Sequence, residues 1–192
     1  CDPGDEIIYP SPGFPIYESF IGYLGAKAVP LHLKEECGFS FNGEDLEKLI
    51  TDRTKLIFLN FPSNPTGGVA TKEQLTSIAK VINEKCSKDV RVYSDEVYEN
   101  ILFDGSKHVS IATMPNMLDK TIIVSGVSKS YSWTGGRIGW AIFPTVEEAQ
   151  FFKNLNINYF SCLPPYNQMG AVVALTDERS DVEINKMTKA LQ

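Results

Sequence analysis

A lysine and an arginine in the second half of the chain stand where reactive side chains are expected. Lys129 follows the apolar run 121–125, and Arg137 comes eight residues later, after a pair of glycines, in the segment SGVSKSYSWTGGR. A lysine that leaves a buried strand among small polar residues is readily desolvated and loses its proton, as Schiff-base chemistry requires. The fixed fork of an arginine suits a phosphate dianion. The alternative is that both are solvated charges around a glycine-rich turn.

A carboxylate and a phenol follow another apolar run. Asp95 comes directly after VRVYS, and Tyr98 lies three residues further on. A carboxylate at the end of a buried strand is costly unless it is paired with a cation, and a protonated ring nitrogen is a suitable partner. Tyr98 could point its hydroxyl in the same direction. Alternatively, Asp95 caps the turn SDEVYEN, which is a frequent role for aspartate.

The remaining polar segment is the proline- and glycine-rich turn NFPSNPTGG at 60–68. Asn64 precedes Pro65 and is therefore expected in an extended or turn conformation. Its amide could donate a hydrogen bond to a phenolic oxygen of a ligand. A purely structural turn is the alternative role.

All three polar segments follow predicted strands. Apolar, β-branched runs alternate with amphipathic stretches, which predicts βαβ units and a three-layer α/β/α domain with a mostly parallel sheet. Because ligands bind at the carboxyl ends of the strands in such sheets, we expect the polar segments to meet in one site. The predicted strands are 5–10, 26–33, 54–60, 90–94, 121–125 and 138–143, and the predicted helices are 17–24, 43–50, 71–84 (with Thr71 as N-cap), 147–160 and 166–175.

Composition excludes several classes of function. The chain has 192 residues, a net charge of −6 and scattered basic residues, which argues against a nucleic-acid partner. No apolar run approaches the roughly 18 to 20 residues that cross a bilayer. His32 and His108 have no partner at a suggestive spacing and are interpreted as structural or solvated. We expect no metal site and no disulfides but reduced thiols in a cytoplasmic protein, because the cysteines are far apart (Cys1, Cys37, Cys86 and Cys162).

Together these segments resemble one enzyme family. NPTGG at 64–68, DEVY at 95–98, and SK with GGRIGW within 128–140 occur in the order and at nearly the spacing of the class I/II aminotransferases of fold type I, which depend on pyridoxal 5'-phosphate (PLP). The flanking DPGDEIIYPSPGFPIY is similar to the family's opening strand and turn. The resemblance covers essentially the entire chain and is least specific after Pro144.

The resemblance implies a role for each matching residue. Lys129 would be the Schiff-base lysine and would then move a proton between the substrate α-carbon and the cofactor C4' carbon. Asp95 would pair with the pyridine nitrogen, and Asn64 and Tyr98 would donate hydrogen bonds to the phenolate oxygen. Phe14 would stack on the ring, with a core phenylalanine as the alternative.

The phosphate contacts that the resemblance implies are less fully specified. Arg137 would hold the phosphate with help from a serine hydroxyl. Many members carry serine or threonine three residues before the lysine, where this chain has Gly126. The hydroxyl would therefore come from Ser128 or Ser125.

The resemblance also implies an activity and a missing part. We expect an aminotransferase that uses an amino acid and a 2-oxo acid and is a homodimer. Family members also carry an upstream phosphate-binding helix and a downstream small domain, which are not recognisable here. Residues 1–192 are therefore expected to be a fragment, the large domain alone, with weak cofactor binding and little transamination. The alternatives are a PLP-dependent carbon–sulfur lyase or a fragment that turns nothing over.

Overall fold

The computed structural model describes residues 1–192, which form a six-stranded sheet and its helices. The strands are β1 (Glu6–Ser11), β2 (Lys27–His32), β3 (Thr54–Asn60), β4 (Arg91–Asp95), β5 (Thr121–Gly126) and β6 (Gly139–Ile142). Their order in the sheet is β2-β1-β3-β4-β5-β6, and the pairs β1–β2, β1–β3, β3–β4 and β4–β5 are parallel, whereas β5–β6 is antiparallel. The helices are α1 (Ile16–Tyr23), α2 (Gly43–Glu47), α3 (Lys72–Lys85), α4 (Val146–Phe160), α5 (Pro165–Thr176) and α6 (Arg179–Leu191).

Helices cover both faces of the sheet. Side chains alternate across a strand, so Ile8 of β1 packs into the larger core with α2 and α3. Its neighbour Ile7 packs on the opposite face with Tyr17 and Ile21 of α1. The predicted three-layer α/β/α arrangement with a mostly parallel sheet is confirmed.

The local sequence explains where α3 begins and which face it buries. The Thr71 hydroxyl accepts a hydrogen bond from the Gln74 N–H at 3.2 Å, and the Gln74 side chain accepts one from the Thr71 N–H at 2.9 Å. This reciprocal capping satisfies two otherwise unpaired N–H groups. Leu75, Ile78 and Ile82 then recur on the buried face of the helix.

Two parts of the structure differ from the sequence prediction. The helix predicted over 43–50 ends at Glu47. Beyond it the Leu49 N–H donates to the Leu46 carbonyl and the Ile50 N–H to the Glu47 carbonyl. These bonds span three residues rather than four, so the chain continues in a tighter turn. The helix α6 (Arg179–Leu191) was not predicted. No helix has the length and apolar character that crossing a membrane would require.

We expect Ile57→Ala to lower the free energy of unfolding by about 2 to 5 kcal/mol, as large-to-small substitutions in packed cores do. Ile57 lies on β3 and is fully buried in the larger core. Urea denaturation measures the change. The control is Ile142→Ala on β6, where the side chain is 53% exposed, and an equal loss in both variants would contradict the assignment of the core.

Candidate functional site

A pocket of about 100 Å3 lies at the carboxyl ends of the parallel strands. The connections after β1, β3, β4 and β5 all contribute to it, as expected for this edge of the sheet. Its lining consists of Phe14, Asn60, Asn64, Asp95, Val97, Tyr98 and Lys129. The structure therefore brings together all the predicted site residues except Ser125, Ser128 and Arg137.

Asp95 places a largely buried carboxylate in this pocket. One oxygen accepts a hydrogen bond from the Tyr17 hydroxyl at 2.7 Å, and the other accepts one from the Val97 N–H at 3.3 Å. Burial raises the pKa of the Asp95 carboxyl above its ordinary value, and these neutral donors offset that effect only in part. The bond from Val97 also fulfils the turn-capping role considered as the alternative. Asp95 thus caps the turn and faces the pocket.

Asn60 links the other polar groups to one another. Its amide oxygen accepts a hydrogen bond from the Asn64 N–H at 2.8 Å, and its amide nitrogen donates to the Asp95 carbonyl at 3.1 Å. Asn64 in turn donates to the Tyr98 hydroxyl at 3.4 Å. The Asn64 amide and the Tyr98 hydroxyl are therefore neighbouring donors at one side of the pocket.

Sequence reasoning missed the contributions of Tyr17 and Asn60. Asn60 belongs to the segment NFPSNPTGG, in which only Asn64 was selected. Tyr17 was interpreted as the first residue of a helix, although it closes the quoted segment PSPGFPIY. Its bond to Asp95 joins residues 78 positions apart, and a contact at that separation has no local signal.

Lys129 lies at the rim of the pocket and is exposed. Its Nζ is 5.7 Å from the centre of the Tyr98 ring, a distance suited to a cation–π contact. The prediction that Lys129 is desolvated is wrong for this structure. Lys129 lies three residues beyond the end of β5, where neighbouring parts of the chain no longer bury its side chain. The following residue, Ser130, is buried instead.

Thr134 links Arg137 and Ser128 across the glycine-rich turn. The Thr134 hydroxyl donates to the Ser128 carbonyl at 3.0 Å, and the Arg137 guanidinium donates to the Thr134 carbonyl at 3.1 Å. Arg137 adopts the left-handed conformation with φ of +52°, which costs a non-glycine residue roughly 1 to 2 kcal/mol. Its side chain is exposed beside the lysine segment. Ser125 differs, since its hydroxyl donates to the Glu99 carboxylate at 3.1 Å.

Trp133 fixes this turn to α5. Its ring lies against Gly136 and Gly170 so closely that a β-carbon on either glycine would come within 2.6 Å of ring atoms. Asn167 of α5 donates a further hydrogen bond to the Gly136 carbonyl at 2.9 Å. Trp133 thus packs against the GGRIG turn, and its ring leaves no room for a side chain at Gly136.

Comparison with known proteins relates the chain to one family. The profile described as aminotransferase class I and II matches residues 1–192. The aspartate aminotransferase of Pyrococcus abyssi is 37% identical over 97% of this chain and 47% of its own length, and the arginine–pyruvate transaminase of Pseudomonas aeruginosa is 36% identical over 95% and 45%. The crystal structure of an aspartate aminotransferase from Rhizobium meliloti superimposes with a TM-score of 0.92 at 32% identity, over 99% of this chain and 46% of that one. The chain spans about half the length of the curated relatives it matches.

We expect Tyr17→Phe to raise the pKa of Asp95 further, because the substitution removes a donor to the ionised carboxylate. The folded pKa already lies above the ordinary value of 3.8, so the folded chain binds this proton more tightly than the unfolded chain. The stability that Asp95 contributes is thus fully present below about pH 3.8 and is lost as the pH rises through the folded pKa. Tyr17→Phe should move that loss to higher pH.

Carboxyl-carbon NMR titration of Asp95 measures this change, and urea denaturation across the acidic range follows the stability. Tyr23→Phe is the control, because Tyr23 lies on the same helix but is 82% exposed. An Asp95 midpoint that is the same in both variants would show that the Tyr17 bond does not stabilise the charge.

Proposed function

The chain belongs to the class I and II aminotransferases, and from this premise we propose that residues 1–192 form the PLP-binding part of an enzyme that moves an amino group between an amino acid and a 2-oxo acid. One observation carries the proposal: Asn64, Asp95, Tyr98 and Lys129 converge on one pocket from separate strand ends. These side chains offer hydrogen-bond donors to a phenolate, an acceptor to a cationic ring nitrogen and an amine to an aldehyde.

Asp95 supports the fit of the cofactor. It is a largely buried carboxylate whose hydrogen-bond partners are neutral, and burial raises its pKa. Such a group is stabilised by a cation that enters beside it. The protonated pyridine nitrogen of PLP is a cation of this kind, and Asp95 would hold it in that charged form.

The neighbouring donors would orient the ring. The Asn64 amide and the Tyr98 hydroxyl lie 3.4 Å apart and could both donate to the phenolate oxygen. Phe14 forms another wall of the pocket and is 37% exposed. A partly exposed phenylalanine at this wall would cover one face of the ring by stacking.

Arg137 and Ser128 would hold the phosphate. Arg137 keeps a left-handed backbone conformation in spite of its cost, which supports a need for the guanidinium itself at that position. Ser128 is linked to Arg137 through Thr134, which bonds to both residues. Ser125 is a weaker candidate, because its hydroxyl would have to leave Glu99 in order to reach a phosphate.

Lys129 would hold the cofactor and carry out the proton transfers. When bound, PLP supplies an aldehyde that links to amines and a ring that accepts an electron pair released at the substrate α-carbon. Lys129 would hold the cofactor by its Nζ. The same Nζ would act as the base that takes the proton from the substrate α-carbon and as the acid that gives a proton to the C4' carbon.

The substrates are proposed only as a class. The names of the two relatives above refer to aspartate and to arginine with pyruvate at nearly equal identity, 37% and 36%. Because the chain is about equally similar to both relatives, the comparison does not favour either amino acid as the substrate. We therefore assign an amino acid donor and a 2-oxo acid acceptor without choosing among them.

We also propose a homodimer, which the apolar surface of α4 and α5 supports. α4 has no buried residue, and only Ala171 is buried in α5. Large apolar side chains on and between the two helices are exposed, including Phe151, Tyr159, Phe160, Tyr166 and Met169. An exposed apolar surface of this kind is typical of a protein interface, and a second copy would cover part of it.

A cytoplasmic location completes the proposal, and the cysteines support it. All four thiols are free, and three of them are exposed. Burial raises the pKa of the remaining thiol, Cys86, to about 11, which keeps it protonated and unreactive. Exposed free thiols are typical of a reducing compartment.

We expect Lys129→Ala to abolish covalent attachment of PLP, because no other amine lines the pocket. Wild-type chain mixed with PLP should develop the absorbance of a protein-bound imine. Borohydride should then fix the cofactor to the peptide that contains Lys129, as mass spectrometry can establish. The control is Lys120→Ala, since Lys120 immediately precedes β5 at the opposite end of the strand.

The outcomes separate the proposal from its alternatives. Trapping that is as efficient in Lys129→Ala as in wild type would overturn the central assignment. If cofactor binds at Lys129, product analysis then identifies the reaction, and the absence of any product indicates a fragment that turns nothing over. Stoichiometric amino transfer to 2-oxoglutarate indicates a transferase, whereas pyruvate and ammonia from cysteine-type substrates indicate a lyase.

For the homodimer, we expect the double variant Phe160→Asp, Tyr166→Asp to sediment as a monomer under conditions in which the wild type is dimeric. Burying an unpaired carboxylate in an apolar interface costs at least several kcal/mol. Leu118→Asp is the control, because Leu118 is 64% exposed and lies outside α4 and α5. Sedimentation velocity decides the question, and a double variant that remains dimeric would place the interface elsewhere.

A further inference from the structure

The turn that carries Asp95 and Tyr98 has a second polar face, which the proposed chemistry does not use. Asp95 and Tyr98 line the pocket, whereas the Glu96 and Glu99 side chains bond on the other side. Glu96 is 3% exposed. A buried carboxylate needs partners, and those of Glu96 come from the end of β4 and from the segment 108–110 that returns to it.

Both oxygens of the Glu96 carboxylate are occupied. One accepts hydrogen bonds from the Ser94 hydroxyl at 2.8 Å and the Ser110 hydroxyl at 2.6 Å, and the other lies 2.8 Å from His108 Nε2. His108 therefore has a carboxylate partner that its spacing in the sequence did not indicate, and of the two interpretations, structural or solvated, the contact supports the structural one. Its partner lies twelve residues earlier, and the chain must leave β4 and return to make the contact.

These bonds determine how Glu96 is ionised. Burial alone would raise the pKa of Glu96, but the hydrogen bonds from His108, Ser110 and Ser94 outweigh it and hold the pKa below its ordinary value. The Glu99 carboxylate is a second acidic group nearby, with an oxygen within 4.8 Å of the Glu96 and His108 atoms, and the charge on Glu96 also acts on Asp95. Glu96 is thus a carboxylate that anchors the returning segment to the end of β4.

The anchored turn is also tied to the segment of Lys129. The Glu96 N–H donates to the Val124 carbonyl at 2.8 Å, and the Ser130 hydroxyl lies 3.4 Å from the Val97 carbonyl that accepts its hydrogen bond. The Ser125 hydroxyl adds its bond to Glu99 at 3.1 Å. The backbone that carries Asp95 and Tyr98 is therefore held between Glu96 on one side and the β5–Lys129 segment on the other.

We propose that Glu96 and His108 form a positioning pair, which holds the turn 95–99 against the Lys129 segment at the separation that cofactor binding requires. Neither side chain lines the pocket, so both act through the backbone of the turn. The role in cofactor binding rests on the proposed function, but the anchoring of the turn can be measured without a cofactor.

The test compares matched variants of the full chain. Glu96→Gln removes the charge, and His108→Ala removes the partner, whereas His108→Gln keeps an N–H donor near the position of Nε2. Glu6→Gln is the control, since Glu6 is 1% exposed and likewise has three side-chain partners, Lys27, Thr51 and Arg53. It lies at the amino end of β1, away from the pocket.

The first readout is amide hydrogen exchange in the absence of PLP. The Glu99 N–H bonds to the Glu96 carbonyl within the turn, and the Ile101 N–H, just after the turn, bonds to the Tyr98 carbonyl. We expect Glu96→Gln and His108→Ala to speed exchange at these amides by about tenfold, as local opening does. His108→Gln should stay near wild type, and Glu6→Gln should lower the melting temperature without changing these amides.

The second readout is the dissociation constant for PLP, followed by absorbance. We expect it to increase by about tenfold in Glu96→Gln and His108→Ala, the scale seen when an outer partner that orients a ligand-binding group is lost. His108→Gln should restore binding. The proposal is overturned if Glu96→Gln and His108→Ala only lower the melting temperature, as Glu6→Gln does, and leave both the exchange and the dissociation constant unchanged.

The two hypotheses fail in different ways. If wild type binds no PLP at Lys129, the proposed function fails, and the exchange data still decide whether the pair anchors the turn. If wild type binds PLP and the variants bind it equally well, the positioning role fails and the proposed function remains. Should Glu96→Gln not fold, His108→Ala and His108→Gln decide both readouts.

Discussion

Hydrogen bonding between the parallel strands β3, β4 and β5 fixes the distances in the candidate site. Asn60 is in register with Asp95, and Asp95 is in register with Val124. Neighbouring parallel strands lie about 4.8 Å apart. This spacing and the register together fix the positions at which the connections after the three strands begin. The polar connections begin from these fixed points, and short hydrogen bonds such as that between Asn60 and the Asn64 N–H then set their direction.

The turn after β4 shows how a parallel sheet can support such a site from behind. One set of side chains faces the pocket, and the alternate set bonds to neighbouring elements. A carboxylate at such a position would be unstable if it were simply buried. Here Asp95 is left with neutral partners, whereas Glu96 is fully satisfied. The cost of burying a charge is therefore offset at Glu96 but only partly offset at Asp95, which faces the candidate pocket.

Sequence reasoning recovered the fold well where local signals are strong. The predicted strand 54–60 coincides with β3, and Thr71 caps α3 as predicted. The helix α6 was missed although Ile184, Met187 and Leu191 have helical spacing, because the apolar runs that guided the prediction end at Leu175.

The site residues were likewise predictable only where a local signal in the sequence marks them. Residues that follow strands could be found, because topology alone brings strand ends together. The contacts of Tyr17 with Asp95 and of His108 with Glu96 could not be found, since they depend on the path of the chain between the residues. The exposure of Lys129 was also mispredicted, because distance from a strand end does not reveal how much of the chain covers a side chain.

The backbone conformation of Arg137 has a consequence for variation in this protein. A glycine at position 137 would adopt φ of +52° without the steric penalty that arginine bears. Selection for thermal stability alone would therefore favour replacement of Arg137, whereas selection for the proposed phosphate binding would oppose it. At position 137 stability would conflict with the binding role that we propose, and libraries screened only for heat resistance should accumulate glycine there.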